Sequence, residues 1–188
     1  MNTAFVNMKE KAKGPLGIVL LCIFCTFLSG LATYSFVTHT YNSQFSVFYS
    51  LDKKQNDKEI ISVIDNADRY VYFAIYYFTK ENIADALIRA HKRGLIVWGI
   101  VDRESSVGAS KVLVQKLEDA GVTVEVQKHD EGIMHIKAVV TDKAYASGSY
   151  NWTASATTAN DEILEVGTNQ FVRSKYLSIL KQLLITNE

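Results

Sequence analysis

His135 and Lys137 lie two positions apart in the segment Met134–Thr141, which is rich in β-branched residues and reads as a strand. Alternation along a strand puts their side chains on one face, an imidazole beside an ammonium, while Ile136 points into the sheet. A second strand, Ala144–Ser147, runs into Gly148-Ser149-Tyr150-Asn151, which adds a hydroxyl and an amide. Gly148 has no side chain to keep a ligand away from the backbone. Imidazole, ammonium, hydroxyl and amide together suit a phosphate diester. A neutral imidazole attacks phosphorus, and lysine and amide donors stabilise the equatorial oxygens as charge develops. The set contains no cluster of carboxylates for a metal, and no cofactor is implied. A single strand histidine is more often structural than catalytic, so the weight rests on the whole string of residue types at fixed spacing.

Positioning such a group takes a sheet, and the sequence supplies alternating elements from Asp57 onward. Asp57 suits the cap of a helix reaching about Ala67, with Ile60, Ile61 and Ile64 on one face. Tyr70–Phe78 is a strand by its aromatic and β-branched content. Thr79 suits the N-cap of a helix carrying Ile83, Leu87 and Ala90, which ends at Gly94 after the basic turn His91-Lys92-Arg93. Leu95–Val101 reads as a buried strand, Val107–Ala120 as a helix and Val122–Val126 as a strand. The joined strands Met134–Thr141 and Ala144–Ser147 turn at Asp142-Lys143. Ile163–Thr168 and an amphipathic helix over Phe171–Ile185 close the chain. This alternation predicts an α/β fold with a mixed, largely parallel sheet flanked by helices. There is no internal repeat.

The chain has 188 residues with one proline, 48% hydrophobic and 11% aromatic content, which is enough for one globular domain. Lys9, Lys11 and Lys13, with Glu10, precede the uncharged run from Leu16 to Val37. The other residues then hold 17 bases and 19 acids, formally −2, so any phosphate-binding surface is a local patch. The run is long enough to span a bilayer, and the lysines before it place the N-terminus inside and the rest outside. It reads as a retained anchor or, with Gly30-Leu31-Ala32 as a cleavage site, as a signal peptide of an exported protein. The organisation is therefore a basic tail (1–15), an anchor or signal segment (16–37), a linker and domain entry (38–56) and a catalytic domain (57–188). Cys22 and Cys25 fall within the apolar run and are better read as small helix residues than as a metal or redox pair.

The string His135-x-Lys137-x4-Asp142 followed by Gly148-Ser149-x-Asn151 resembles the signature of the phospholipase D superfamily, and most closely its small single-motif bacterial endonucleases. Tyr49-Ser50, Tyr76-Tyr77-Phe78-Thr79 and Ala90-His91-Lys92-Arg93-Gly94 before Val101-Asp102 extend the resemblance from about Phe48 to the end. Five residues separate Asp142 from Gly148 where the family usually has six, which reads as a hairpin one residue shorter. A one-residue slip in register would instead turn Ser149 and Asn151 to the wrong face. The resemblance implies a metal-independent phosphodiesterase with His135, Lys137, Asn151 and Ser149 as site residues. Glu162, eleven positions after Asn151, matches the acid that orients the histidine; Asp142 and Gly148 are supporting residues. The family needs two motifs per site and this chain has one, since His39, His91 and His129 lack a lysine two positions on. A homodimer with one site on its two-fold axis follows.

Nucleic acid is the first expected substrate. A phospholipid head group is a second, and a non-catalytic membrane-anchored binding module is a third reading. His129 reads as a solvated loop and the Arg103–Ser106 stretch as a surface loop, each with a place at the substrate as the lesser alternative. Tyr150 and Trp152 read as core, and the tyrosines between 70 and 77 as core and interface.

Overall fold

Seven strands form one sheet in the computed structural model, which describes residues 14–42, 45–128 and 131–187. Two units divide between residues 43 and 44. Among its described residues the first forms one helix, α1 (Pro15–Asn42), whose Pro15–Val37 stretch is long and apolar enough to cross a membrane. At 1.5 Å per residue those 23 residues extend about 34 Å, the scale of a bilayer core. Leu16, Phe24, Phe27 and Leu31 stand exposed on it.

The second unit runs β1 (Phe45–Tyr49), α2 (Ser50–Lys53), α3 (Asn56–Asp65), β2 (Tyr70–Ile75), α4 (Glu81–Lys92), β3 (Ile96–Val101), α5 (Ala109–Asp119), β4 (Thr123–Val126), β5 (Lys137–Thr141), β6 (Tyr145–Gly148), α6 (Ala154–Thr158), β7 (Ile163–Gly167) and α7 (Gln170–Ile185). Strand order is β1-β7-β6-β5-β2-β3-β4. The mixed α/β class with flanking helices is the expected one, but the sheet is not largely parallel. Only β2–β3 and β3–β4 pair in parallel among the described strands; the other four pairings are antiparallel. Helical crossovers end at β4, and from β5 onward the chain returns through the short turn to β6 and then to β7, which forces antiparallel neighbours.

Each face of the sheet is covered because its strands are apolar on both sides. Val71, Phe73, Ile75, Val97, Val139 and Ala146 pack against Ile60 and Ile64 of α3, Ile83 and Leu87 of α4 and Leu117 of α5. Tyr72, Ala74, Ile100, Val140 and Tyr145 pack against Leu180 and Leu184 of α7 on the other face. Gly99 admits the Phe73 ring, since a Cβ there would stand 2.1 Å from Phe73 Cζ.

Three local expectations differ. Residues 38–56 are not only a linker: Phe45–Tyr49 is an edge strand registered Phe45 to Gly167 and Tyr49 to Ile163 on β7. The α3 cap is Gln55, and Asp57 instead sits in the first turn, where its carboxylate takes Lys80 Nζ at 2.8 Å and Asn82 Nδ2 at 2.7 Å. The α4 cap is Lys80, because the backbone amides of Thr79 and Lys80 both donate to Trp152 O.

Candidate active site

Strand β5 begins at Lys137, opposite Ile75, the last residue of β2. His135 therefore precedes the strand rather than lying on it, and only Tyr76 N donating to Ile136 O at 2.9 Å continues the ladder there. The two side chains nonetheless meet. Lys137 is buried along its stem, and Nζ donates to His135 O at 3.0 Å. The His135 ring is exposed and lies 4.6 Å from the Tyr76 ring, tilted 57° to it. Lys137 Nζ stands 4.8 Å from the centroid of the same ring. Burial pushes the lysine's pKa down, while the charges of Glu162 and Asp102 act the other way.

The next group comes from the ends of β6 and β7. Ser149 Oγ donates to Glu162 Oε2 and accepts from Ile163 N at 3.0 Å. Glu162 is buried; its other oxygen accepts from Asn160 Nδ2 at 3.3 Å, and its backbone N–H donates to Ser50 Oγ at 2.9 Å. Within the protomer Glu162 makes no hydrogen bond to His135 among the described residues, so the expected orienting contact is absent from the single chain. Asn151 Oδ1 accepts from Tyr77 N at 3.3 Å, which places the asparagine beside the end of β2. With the five-residue spacing, Ser149 thus lies against Glu162 and Asn151 against Tyr77. Thr141 closes the shorter turn, its Oγ1 accepting from Lys143 N at 3.2 Å and Ala144 N at 3.0 Å.

Asp142 and Gly148 serve the frame. Asp142 sits at the far end of β5, where Oδ1 accepts from Asp68 N at 3.1 Å and Arg69 N at 3.2 Å. Burial acts to raise its pKa, but these amides and the Arg69 charge hold it below the usual carboxylate range. Gly148 lies close against the neighbouring strand: at φ 156° a Cβ there would stand 2.1 Å from Ile163 O. Tyr150 and Trp152 are buried in the core, as read from sequence. His129 lies outside the described residues.

Family matching decides the relationship. The family described as cardiolipin synthase, PLD-like domain, matches residues 60–184. The chain belongs to the phospholipase D superfamily. A phospholipase D of Rickettsia conorii is 32% identical over 121 residues, covering 64% of this chain and 60% of the relative. A mitochondrial cardiolipin hydrolase of Xenopus tropicalis is 31% identical over 120 residues, covering 62% and 55%. The chain thus spans at most 60% of the length of these two relatives. Among solved structures, the phospholipase D family member Nuc from Salmonella typhimurium superposes with TM-score 0.71 at 26% identity, over 77% of this chain and 95% of that one. NucT from Helicobacter pylori gives 0.67 at 28% identity, over 76% and 96%. Members of this superfamily are phosphodiesterases, and the matched stretch 60–184 includes His135, Lys137, Ser149, Asn151 and Glu162.

Sequence reasoning missed three residues here. Tyr76 was assigned to core and interface, yet its ring touches both motif side chains. Asp102, fully buried, holds the backbone just before His135: Met134 N donates to Oδ2 at 2.8 Å and Ser105 N to Oδ1 at 3.0 Å. Ser105 Oγ in turn donates to Tyr76 O. The signal for Asp102 was a carboxylate directly after an unbroken apolar strand, which has to be satisfied locally.

Proposed function

We propose that this chain is a metal-independent phosphodiesterase that cleaves DNA or RNA as a homodimer through a phosphohistidine. The observation that supports it most is an exposed imidazole beside an ammonium that has no carboxylate within ion-pair distance among the described residues. A phosphate would complete that charge. His135 attacks phosphorus, forming a P–N bond as the P–O bond to the leaving group breaks, and the partner subunit's His135 gives that oxygen its proton. The same partner imidazole then takes a proton from water, whose oxygen displaces His135. Lys137 and the free amide nitrogen of Asn151 hold the phosphate oxygens. Glu162 makes no bond to His135 of its own protomer, so it would orient an imidazole only in the completed dimer. Ser149 holds that carboxylate.

Cleavage of phospholipid head groups is the second reading. The apolar stretch Pro15–Val37 favours it, as do the names of the relatives from Rickettsia conorii and Xenopus tropicalis. In both readings residues 16–37 anchor the chain, and the lysines before them place the catalytic domain outside the cytoplasm; cleavage of that segment would instead release an exported enzyme. The third reading, a non-catalytic anchored module, gives no reason for the unpaired ammonium.

The test is a panel of plasmid DNA, RNA, phosphatidylcholine and cardiolipin vesicles, assayed with EDTA throughout. Hydrolysis of nucleic acid that survives EDTA and is lost in His135→Ala is expected. Full activity in that variant, or activity abolished by EDTA, refutes the mechanism. Titrating wild-type protein with His135→Ala subunits tests the dimer: a shared site makes activity fall with the square of the wild-type fraction, and independent sites make it fall linearly.

A further inference from the structure

Tyr76 is the first residue beyond β2, and the backbone holds it at both ends. Its N–H donates to Ile136 O at 2.9 Å, between the two motif residues, and its carbonyl accepts from Ser105 Oγ. Its hydroxyl makes no hydrogen bond among the described residues, so its contribution lies in the ring. That ring lies 4.6 Å from the His135 imidazole and also faces the Lys137 ammonium, at 4.8 Å.

A buried ammonium requires compensation, and a carboxylate at 3 Å would supply it. Such a partner would also neutralise the charge that a phosphate needs. An aromatic face attracts the cation through its quadrupole while leaving the net charge unspent. Asp102 at the end of β3 and Glu162 before β7 act on Lys137 without an ion-pair contact, and His135 lies on its own segment. Among the described residues these two carboxylates are the charges that act on it. The ring also limits the swing of an imidazole that makes no side-chain hydrogen bond among the described residues.

We propose that Tyr76 is a positioning residue whose ring, not its hydroxyl, holds the His135 imidazole and the Lys137 ammonium side by side and keeps that ammonium charged yet unpaired. This rests on the phosphodiesterase reading for its purpose but not for its measurement. The full-length protein in detergent, labelled with [13Cε]lysine and assigned with Lys137→Arg, reports the Lys137 titration directly. Tyr76→Leu removes the quadrupole, so the midpoint falls further, by roughly 0.5–1.5 pH units. Tyr76→Phe keeps the wild-type midpoint. Tyr76→Met fills the space with a flexible chain and gives the same comparison if Tyr76→Leu does not fold. In hydrolysis, kcat falls about ten- to a hundredfold in Tyr76→Leu and the alkaline limb of the kcat/KM profile moves to lower pH, while Tyr76→Phe retains both. A wild-type Lys137 midpoint in the non-aromatic variants overturns the proposal, as does a Tyr76→Phe defect equal to theirs. A shifted midpoint together with full hydrolysis in His135→Ala upholds the positioning and refutes the phosphohistidine.

Discussion

Replacing Asp102 by asparagine isolates the support beneath His135. The carboxylate is fully buried and uses both oxygens, Oδ1 for Ser105 N at 3.0 Å and Oδ2 for Met134 N at 2.8 Å. Asparagine keeps one acceptor and turns an NH2 toward the other backbone N–H. The loss is one hydrogen bond to a charged acceptor, about 1.5–3 kcal/mol, partly offset because a buried charge is removed. Met134 N retains Gln127 Oε1 at 3.1 Å, which moderates the cost when the amide turns that way. The net expectation is about 2 kcal/mol, or a Tm lower by about 4–8 °C for a domain of this size. Thermal unfolding followed through the fluorescence of Trp98 and Trp152 measures it. Asp102 also raises the Lys137 pKa, so Asp102→Asn moves the alkaline limb of activity to lower pH. A stability change under about 0.5 kcal/mol with an unaltered pH profile would show that the Asp102 clamp carries no weight.

Lys137→Met is expected to abolish hydrolysis while raising Tm by a few degrees at pH 7, because it removes a desolvated cation. The linkage has the same sign. With its folded pKa below 10.5, Lys137 costs stability at neutral pH, and the cost fades as pH rises from the folded value toward the unfolded one. Gly148→Ala pushes a methyl into Ile163 O and is expected to cost about 2–3 kcal/mol in denaturant unfolding; stability equal to wild type would mean that β6 and β7 can separate freely. Asp142→Ala should lower stability by about 1–3 kcal/mol at pH 7 with activity per folded molecule unchanged. Its contribution is present above the unfolded pKa and vanishes as pH falls through the depressed folded value, so the gap between Asp142→Ala and wild type closes in acid.

The candidate motif stands out in the sequence because it is compact: His135, Lys137, Ser149 and Asn151 sit within seventeen consecutive residues. The helices were legible through their periodicity, and Ile60, Ile64, Ile83 and Leu87 are indeed buried. Strand direction was not, because alternation of helices and strands predicts parallel crossovers only while helices intervene. Strand β1 was missed because Phe45–Tyr49 is short and follows a polar stretch, and its pairing partner lies more than a hundred residues later. Tyr76 and Asp102 escaped for a similar reason. Neither has a distinctive spacing from His135 in sequence; β2 and β3 bring them there through the sheet.

The turn at Asp142 and the candidate site residues occupy opposite ends of β5 and β6. Five strand residues at about 3.3 Å each separate them, roughly 16 Å. A deletion in that turn is taken up by the Thr141 hydroxyl, and Ala138 still faces Ser147. The count of letters between Asp142 and Gly148 therefore spans only the turn and strand β6. A search pattern that fixes that count would discard chains like this one, whereas one that tolerates a gap there and holds the two flanking strings rigid would retain them.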